Sequence, residues 1–270
     1  MGAKEPGTAM MIERHARLRE VQIWGDHFHF ALDAPEVGQG ARPGQFVMVK
    51  VADEAFPLLR RPLGIHNANE KGIELFFKVA GQGTEILSRK RRGDRLDIIG
   101  PLGKGFTISA ATKGKTAYLV GGGRGIAPLY FLARELVQAG TRPVVLYGGR
   151  CLADIPLRDR FEKAGIAFLC STDDGSFGFA GLVTELAALE LAKEAPAMIY
   201  ACGPDPMMKA LAALAAKNGV PSEFSLESIM GCGIGACWGC VHRIRGESGD
   251  GWVKICEEGP VFPGERILWP

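Results

Sequence analysis

Four cysteines near the C-terminal end have the spacing of a metal-cluster site. Cys232, Cys237 and Cys240 follow the pattern C-x4-C-x2-C, and Cys256 comes after fifteen further residues. This is the plant-type ligand spacing of a [2Fe–2S] cluster, a one-electron carrier held by four thiolates. Glycines that let the backbone approach a cluster closely stand beside them; they are Gly231, Gly233, Gly235 and Gly239. The four cysteines are therefore our predicted metal ligands.

Zinc is the alternative metal for these cysteines. Structural zinc sites favour paired C-x2-C knuckles or mixed cysteine and histidine ligands. Here the first spacing is x4, the loop is glycine-rich, and His242 fits a surface strand better than a ligand position. We favour iron–sulfur and keep open a zinc-stabilised nucleotide-binding module without a redox role.

A glycine-rich turn in the middle of the chain is a candidate phosphate cradle. The run Gly121-Gly122-Gly123-Arg124-Gly125 follows the apolar stretch 117–120 and opens a predicted helix. Glycines let the backbone approach a pyrophosphate, and a helix N-terminus supplies N–H groups and a positive dipole. The spacing differs from G-x-G-x-x-G, so a plain strand-to-helix turn stays the alternative.

A second turn of this region places a thiol where ligands bind. Cys202, Gly203 and Pro204 end the apolar stretch 197–202. In open α/β sheets, ligands lie beyond the carboxyl ends of the strands. We expect Cys202 to lie near a planar ring, and a buried cysteine before a tight turn is the alternative.

Two further anion-binding candidates lie in the first third of the chain. Arg60 and Arg61 begin a predicted strand, and an arginine there can bind a diphosphate bidentately. The turn 81–84, which contains Gly83 and Thr84, precedes a predicted helix and is a second candidate. Surface arginines often face water instead, but three phosphate sites together indicate two nucleotide cofactors.

The elements that must position these residues form three segments. Residues 1–112 show short strands punctuated by Gly and Pro, which predicts an antiparallel β-barrel. Residues 113–222 alternate apolar runs with helical stretches, which predicts a doubly wound parallel α/β sheet. Residues 223–270 hold the cysteines and are too few for a good core, so a metal centre must help to stabilise them.

Composition narrows the function classes. The chain has 270 residues, with 32 basic and 30 acidic side chains and a net charge of +2, which argues against nucleic-acid and membrane-surface proteins. The apolar stretches are too short to span a bilayer, and residues 1–11 lack the apolar core of a secretory signal. An odd count of seven cysteines, four of them clustered, argues against a disulfide framework. We expect a cytoplasmic protein with reduced thiols, in which Cys151 and Cys170 are plain buried residues.

Taken together, these motifs resemble the ferredoxin–NADP reductase superfamily over about residues 12–268. Within it they look like the electron-transfer subunits of bacterial NAD-dependent (class 1B) dihydroorotate dehydrogenases. The family's flavin motif Arg-Pro-Ile-Ser is similar to Arg61-Pro62-Leu63-Gly64. The stretches 226–230, 232–240 and 256–262 are the most specific part of the likeness. One departure is Gly64, where the family usually has a Ser or Thr that hydrogen-bonds the flavin.

The resemblance implies which residues hold each cofactor. FAD binding is implied for Arg61, Pro62, Leu63, Gly64, Phe76, Phe77, Lys78, Gly83 and Thr84. NAD binding is implied for Gly121, Gly122, Gly123, Gly125, Cys202, Gly203 and Pro204. No residue of the chain is expected to act as a nucleophile or a general base. From the residues themselves, Asp173 and Asp174 at a strand end would disfavour the 2′-phosphate of NADP, but Arg124 and Arg150 are near in sequence, so NADP stays the alternative.

The resemblance also implies a partner and a pathway. An FMN-containing catalytic subunit oxidises dihydroorotate to orotate, in a heterotetramer of two catalytic and two electron-transfer subunits. Electrons then pass through the [2Fe–2S] cluster and FAD to NAD+, in the biosynthesis of UMP. Ile234 and Trp238 are the expected apolar contacts with that partner, and the alternative is that Trp238 packs inward against the α/β domain. The alternative is a related flavin and iron–sulfur subunit of another complex, such as a bifurcating transhydrogenase or a hydrogenase.

Overall fold

The computed structural model describes residues 10–52, 56–246 and 249–269. The expectation about a secretory signal falls mostly on residues 1–9, which lie outside the described residues. Within the described ranges, no helix has the length and apolar character that a membrane span requires.

The first part of the chain forms a closed antiparallel barrel, as predicted. Its strands are β1 (Met11–Trp24), β2 (His27–Asp33), β3 (Phe46–Lys50), β4 (Arg61–Asn69), β5 (Gly72–Lys78) and β6 (Arg95–Leu102). The strand order around the barrel is β1-β2-β5-β4-β3-β6. Phe30, Leu32, Ile73, Leu75 and Ile98 belong to the buried core of the barrel. The flavin-motif residues therefore lie on two paired strands, β4 and β5.

Two short helices accompany the barrel. Helix α2 (Gln82–Ser88) was predicted, whereas α1 (Pro35–Gly40) was not. The sequence of α1 contains two glycines, which lower helix propensity. Tertiary packing overrides that preference, since a Cβ on Gly38 would lie 2.4 Å from the carbonyl oxygen of Asn69.

The middle of the chain forms the predicted parallel sheet flanked by helices. Its strands are β7 (Thr116–Gly122), β8 (Arg142–Gly149), β9 (Ala167–Thr172), β10 (Phe179–Ala180), β11 (Met198–Cys202) and β12 (Ser222–Ser225). Its helices are α3 (Ala127–Gln138), α4 (Arg158–Lys163), α5 (Val183–Lys193) and α6 (Asp205–Lys217). Strands β7 and β11 are neighbours, so the glycine-rich turn after β7 lies beside the Cys202 turn after β11.

The C-terminal segment leaves this sheet and returns to it. It contains the hairpin β13 (Val241–Gly246) and β14 (Gly249–Lys254), the short helix α7 (Ile255–Glu258) and β15 (Val261–Pro263). Strand β15 pairs antiparallel with β12, which gives the sheet order β10-β9-β8-β7-β11-β12-β15. Cys240 and Cys256 are buried in the same cluster as Met48 of the barrel and Phe224 of the sheet. The cysteine segment thus shares the core of the larger units, as its small size requires.

Candidate functional site

A cavity of about 280 Å³ lies between the barrel and the sheet, and its lining contains most of the predicted flavin residues. Predicted cofactor residues in that lining are Arg61, Pro62, Leu63, Gly64, Phe76, Phe77, Lys78, Thr84 and Cys202. A Cβ built on Gly64 would lie 3.8 Å from Cδ of Pro128, an ordinary contact. The site therefore has room for the hydroxyl side chain that the resemblance leads one to expect there.

Arg61 and Thr84 line the part of this cavity that fits a diphosphate, and Gly83 lies against Arg61. A Cβ on Gly83 would lie 2.3 Å from Nε of Arg61, so the guanidinium rests directly on the first turn of α2. The hydroxyl of Thr84 accepts a hydrogen bond from the backbone N–H of Ala80 at 2.9 Å and so holds this turn together. A guanidinium fork beside backbone N–H groups suits a diphosphate. These residues fit FAD in the way that the resemblance implies.

A second cavity of about 740 Å³ adjoins the first and contains five of the seven predicted nicotinamide-nucleotide residues, whereas Cys202 lines the first cavity. Its lining includes Gly122, Gly123, Gly125, Gly203 and Pro204, together with Asp173 and Met207. Both cavities are lined by Lys78, Arg124 and Glu227, so the two candidate nucleotide sites meet. A volume of this size is in the range of small-molecule and cofactor pockets.

The glycines of the cradle have different roles. Gly123 has φ +53°, and a Cβ built on it would meet no atom within 4 Å, so it faces the open cavity. A Cβ on Gly125 would lie 2.0 Å from the carbonyl oxygen of Cys202, so this glycine lets the two turns pack together. Gly121 lies against Ile126 and does not line the cavity. An open backbone before α3 is what a phosphate cradle needs and a plain turn does not.

Cys202 is buried on the floor of the first cavity, at 3% exposure. Burial, together with the nearby carboxylate of Glu227, raises the pKa of its thiol far above the ordinary value. The thiol also hydrogen-bonds Ser225. Because it stays protonated at neutral pH, Cys202 can contact a planar ring but cannot act as a nucleophile.

The sequence predicted Lys78 as a site residue but not the acidic partners that the structure gives it. The ammonium of Lys78 lies 2.8 Å from Asp154 and 3.2 Å from Asp26. Arg150 and Lys78 hold the pKa of Asp154 well below its ordinary range. Lys78 thus forms one ion pair within the barrel and one with the α/β domain. A local sequence pattern cannot predict the pair of Lys78 with Asp154, because the two residues are 76 positions apart.

A second ion pair joins the glycine cradle to the segment before the cysteines. The two predicted aspartates, Asp173 and Asp174, have different surroundings. Arg124 Nη2 lies 3.3 Å from Glu227 Oε2. Asp173 lines the second cavity, whereas the carboxylate of Asp174 accepts a hydrogen bond from the backbone of Ser176 at 2.9 Å. Only Asp173 therefore remains a candidate contact for the nucleotide.

The four predicted metal ligands all accept backbone hydrogen bonds at sulfur. Cys232 Sγ accepts from the N–H groups of Ile234 at 3.5 Å and Cys237 at 3.4 Å. The remaining bonds are Gly235 to Cys256 at 3.1 Å, Gly239 to Cys237 at 3.4 Å and Cys256 to Cys240 at 3.4 Å. Although burial opposes ionisation, these donors lower the pKa of Cys232 to about 7. A loop with several N–H groups directed at thiolates fits an iron–sulfur cluster.

The arrangement of the sulfurs distinguishes iron–sulfur from zinc. Cys232 hydrogen-bonds Cys237, and Cys240 hydrogen-bonds Cys256, so the cysteines form two pairs. In the part of the chain that the structure describes, no three cysteine sulfurs lie within 4.8 Å of one another. A tetrahedral zinc site with 2.3 Å bonds would place all four sulfurs about 3.8 Å apart. Two pairs suit two iron atoms that take two thiolates each, so the geometry favours [2Fe–2S].

The cysteine loop lies at the surface and presents apolar side chains. Trp238 is 59% exposed and Ile234 is 48% exposed, so neither packs inward. Trp238 has φ +57°, a left-handed conformation that is rare for a bulky residue. Of the two cysteines expected to be plain buried residues, Cys170 is buried and Cys151 is only half-buried, because it precedes an exposed 3-10 turn.

Two family models match the chain. Residues 119–213 match the oxidoreductase NAD-binding domain. Residues 227–268 match the iron-sulfur cluster binding domain of dihydroorotate dehydrogenase B.

Solved structures share the fold. One is the structure of an NADH-dependent reduced ferredoxin–NADP oxidoreductase, described for flavin-based electron bifurcation. It is 33% identical in sequence, with a TM-score of 0.81, and the match covers 95% of this chain and 90% of that chain. The ferredoxin reductase of carbazole 1,9a-dioxygenase is 22% identical with a TM-score of 0.67, covers 81% of this chain and 70% of its own, and shows the fold alone.

Curated relatives match over nearly the whole chain. The dihydroorotate dehydrogenase B (NAD(+)) electron transfer subunit of Desulforamulus reducens is 41% identical and covers 90% of this chain and 92% of its own. The same subunit of Geobacillus thermodenitrificans is 42% identical and covers 89% of this chain and 93% of its own. With the barrel, the sheet and the cysteine loop in place, the chain belongs to the family of dihydroorotate dehydrogenase B (NAD(+)) electron transfer subunits.

Proposed function

We propose that this protein carries electrons from a dihydroorotate-oxidising partner to NAD+. The observation that carries the proposal is that the three candidate cofactor sites adjoin one another. The two cavities share Lys78, Arg124 and Glu227. A Cβ on Gly233 of the cysteine loop would lie 2.4 Å from Cγ of Met48, so this loop rests on strand β3 of the barrel. Strand β3 in turn pairs with β4, which carries Arg61 to Gly64.

The chain's residues bind and orient the groups that do the chemistry. When bound, a [2Fe–2S] cluster exchanges single electrons and a nicotinamide exchanges hydride, and FAD is the carrier that can do both. We propose Arg61, Gly83 and Thr84 as the holders of the FAD diphosphate, and Gly122 and Gly123 as the cradle for NAD. Cys202 supplies a neutral, polarisable contact for the nicotinamide ring.

The three-part division of the chain is also a proposal. Residues 1–112 would bind FAD, 113–222 would bind NAD and 223–270 would bind the cluster. The two family matches, at 119–213 and 227–268, lie inside the second and third of these ranges.

The partner is proposed to be an FMN-containing catalytic subunit, in a complex of two catalytic and two electron-transfer subunits. Ile234 and Trp238 are exposed, which supports a docking face at the cysteine loop. Tryptophans that a partner buries on binding are frequent hot spots of interfaces. The cysteine usage supports a cytoplasmic location, and the pathway would be the synthesis of UMP.

Reconstitution tests this proposal. Alone, the purified chain should transfer electrons from NADH to a dye and should not oxidise dihydroorotate. Mixed with the FMN-containing subunit, it should support dihydroorotate-dependent reduction of NAD+. Oxidation of dihydroorotate by the isolated chain would contradict the division of labour.

A subunit of another flavin-containing complex is the second candidate. It is favoured by the 33% identity and TM-score of 0.81 to the NADH-dependent reduced ferredoxin–NADP oxidoreductase. The same reconstitution separates the two candidates, because a subunit of a bifurcating transhydrogenase or a hydrogenase would give NADH–dye activity and no coupling to dihydroorotate. A neighbouring gene for a dihydroorotate-oxidising protein would favour the first.

A further inference from the structure

A buried polar cluster joins the barrel to the α/β sheet away from both cavities. The barrel contributes His29, His66, Asn67 and Glu74, and helices α3 and α4 contribute Arg134 and Arg160. We call these six residues the interdomain polar cluster. His29 is 2% exposed, His66 is 0% exposed and Asn67 is 3% exposed. None of the six lines either cavity.

Two arginines from different helices converge on one carboxylate of the barrel. The guanidinium of Arg160 donates a hydrogen bond to Glu74, and its Nη1 lies 2.9 Å from His29 Nε2. Arg134 donates to Asn67 Oδ1 at 2.8 Å, and Asn67 Nδ2 donates to Glu74 Oε1 at 3.1 Å. Glu74 is therefore bound directly by α4 and through Asn67 by α3.

Three residues of the cluster could form the ligand set of a metal site, but the guanidinium of Arg160 is the cation that lies beside them. Ligand atoms of His29, His66 and Glu74 lie within 4.8 Å of one another, and two imidazoles with a carboxylate suit a divalent ion. Arg160 is hydrogen-bonded to Glu74 and lies against His29. A divalent cation beside this guanidinium would be repelled, so we assign the cationic role to Arg160.

The position of the cluster in the fold relates it to both nucleotide sites. His66 and Asn67 follow Arg61 to Gly64 on β4, and Glu74 precedes Phe76 to Lys78 on β5. On the other side, Nδ1–H of His66 donates to the carbonyl oxygen of Ala127 at 2.7 Å. Ala127 begins α3, directly after the glycine cradle. The cluster thus ties the strands that carry the flavin motif to the helix that carries the cradle.

An aromatic ring completes this connection. The ring of Tyr130 on α3 stacks on His66, with centroids 4.9 Å apart and an interplanar angle of 19°. The guanidinium of Arg160 lies 4.5 Å from the centre of the same ring. Histidine, tyrosine and arginine therefore contact one another in series across the domain interface.

A buried ion pair of this kind adds little net stability, because desolvating the charges offsets much of their attraction. Its directional hydrogen bonds instead specify one relative placement of the packed units. Hydride transfer depends steeply on such placement, since a displacement of about 1 Å can cost about a hundredfold in rate.

We propose that Arg160, through its bonds to Glu74 and His29, is a positioning residue for hydride transfer between the nicotinamide and flavin sites. The inference rests on the proposed function, because it requires NADH to reduce a flavin held in the first cavity. Arg160 touches neither cofactor site, so its effect reaches the reacting groups through β4, β5 and α3.

The test is the substitution Arg160→Met in the FAD-loaded, cluster-loaded chain, with Arg158→Met as the matched control. Arg158 lies on the same helix and forms an exposed ion pair with Glu162 at 2.8 Å, within its own domain. Anaerobic rapid mixing with NADH gives the limiting rate of flavin reduction, the half-saturating NADH concentration and the long-wavelength absorbance of a nicotinamide stacked on a flavin.

For Arg160→Met we expect the limiting rate to fall by about tenfold or more, with weaker long-wavelength absorbance. The half-saturating NADH concentration should stay within about threefold, and FAD content should be unchanged. Arg160→Lys, which keeps the charge, should recover part of the rate, and Arg158→Met should behave as wild type. Asn67→Ala provides a milder variant should Arg160→Met not fold, and we expect an intermediate rate from it.

Three results would overturn the assignment. They are a wild-type limiting rate and absorbance in Arg160→Met, a raised half-saturating NADH concentration at an unchanged rate, or a rate loss that only follows loss of FAD. A wild-type chain whose flavin NADH cannot reduce would instead defeat the proposed function. The assay needs no dihydroorotate, so an error about the partner subunit would leave its outcome unaffected.

Discussion

At the scale of single residues, function depends on side chains that glycine allows to come close. Arg61 reaches the first turn of α2 only because Gly83 has no Cβ. The cysteine loop lies against Met48 only because Gly233 has none. The absence of a Cβ at these two glycines is therefore what allows both contacts to form. A single substitution can test each contact.

Arg61→Ala should weaken FAD binding by about ten- to a hundredfold. A charge-assisted hydrogen bond to a diphosphate contributes about 1.5–3 kcal/mol, which this substitution removes. Flavin retained after dilution and gel filtration measures the effect. Arg89→Ala is the control, because Arg89 forms an exposed ion pair with Glu85 of α2. Equal flavin retention in both variants would remove Arg61 from the site.

Cys237→Ser should abolish or strongly perturb the cluster and leave FAD bound. Cys237 pairs with Cys232, so its loss removes one of two thiolates on one iron, while the flavin cavity contains neither cysteine. The reduced-state EPR signal and the iron content measure the change. Cys151→Ser, distant in sequence from the cysteine loop, should keep both. A normal EPR signal in Cys237→Ser would show that the ligand set is wrong.

Stability should fall as the pH drops from 7 to 5, in part because of His66. Burial and the nearby Arg160 lower the pKa of His66 from 6.5 to about 3 in the folded protein. Between those values the unfolded chain binds a proton that the folded one does not, so stability rises with pH and is complete above about 6.5. At pH 5 the loss is about 2 kcal/mol.

Urea unfolding at pH 5 and pH 7 measures this difference. His66→Gln should reduce it, and His15→Gln, at an exposed position, should not. The same dependence in wild type and His66→Gln would assign the effect to other groups.

At the scale of elements, the decisive unit is the turn from β7 to α3 beside the end of β11. Parallel pairing of β7 with β11 brings the glycine cradle and the Cys202 turn together, and the short distance between Gly125 and Cys202 locks them in place. Gly123 then faces the open cavity with a positive φ. The element presents backbone rather than side chains to the nucleotide.

Gly123→Asp should raise the half-saturating NADH concentration by about tenfold, because a carboxylate would face the pyrophosphate at close range. Gly123→Asn is the matched control of equal size, since Asn and Asp both tolerate positive φ. Its value should stay within about threefold of wild type. Reduction by dithionite should be unaffected in both variants. Equal effects of Asp and Asn would indicate a steric site and contradict an anion cradle.

At the scale of the whole molecule, the two nucleotide cavities adjoin each other, and the cysteine loop lies at the surface. This order places the one-electron site where another protein can approach it and keeps the nicotinamide site at the opposite end of the path. Trp238 is exposed and lies beside two of the predicted cysteine ligands, so we propose it as the anchor for that approach.

Trp238→Ala should reduce dihydroorotate-dependent NAD+ reduction and spare NADH–dye activity. Loss of a tryptophan anchor costs about 2 kcal/mol, or about thirtyfold in affinity for the partner. Titrating the partner subunit in the coupled assay measures it. Leu189→Ala, at an exposed position on α5, is the control. An unchanged titration curve in Trp238→Ala would move the docking face elsewhere.

Local sequence determined the classes of site. The cysteines 232, 237 and 240, the cradle 121–125 and the turn 202–204 are each recognisable in a short stretch, because cluster ligands and phosphate cradles need particular residues at short, fixed separations. Strand and helix patterns likewise predicted the barrel and the parallel sheet, since alternation and helical periodicity are properties of neighbouring residues. These predictions needed no knowledge of distant contacts.

Tertiary structure alone decided how the sites are joined. The ion pair of Lys78 with Asp154 and that of Arg160 with Glu74 link residues that are far apart in the chain. Helix α1 formed against its own propensity for the same reason, since close packing at Gly38 outweighs the preference of its sequence. Local patterns report what a segment prefers by itself, whereas the partners of a buried charge depend on which surfaces the folded chain brings together.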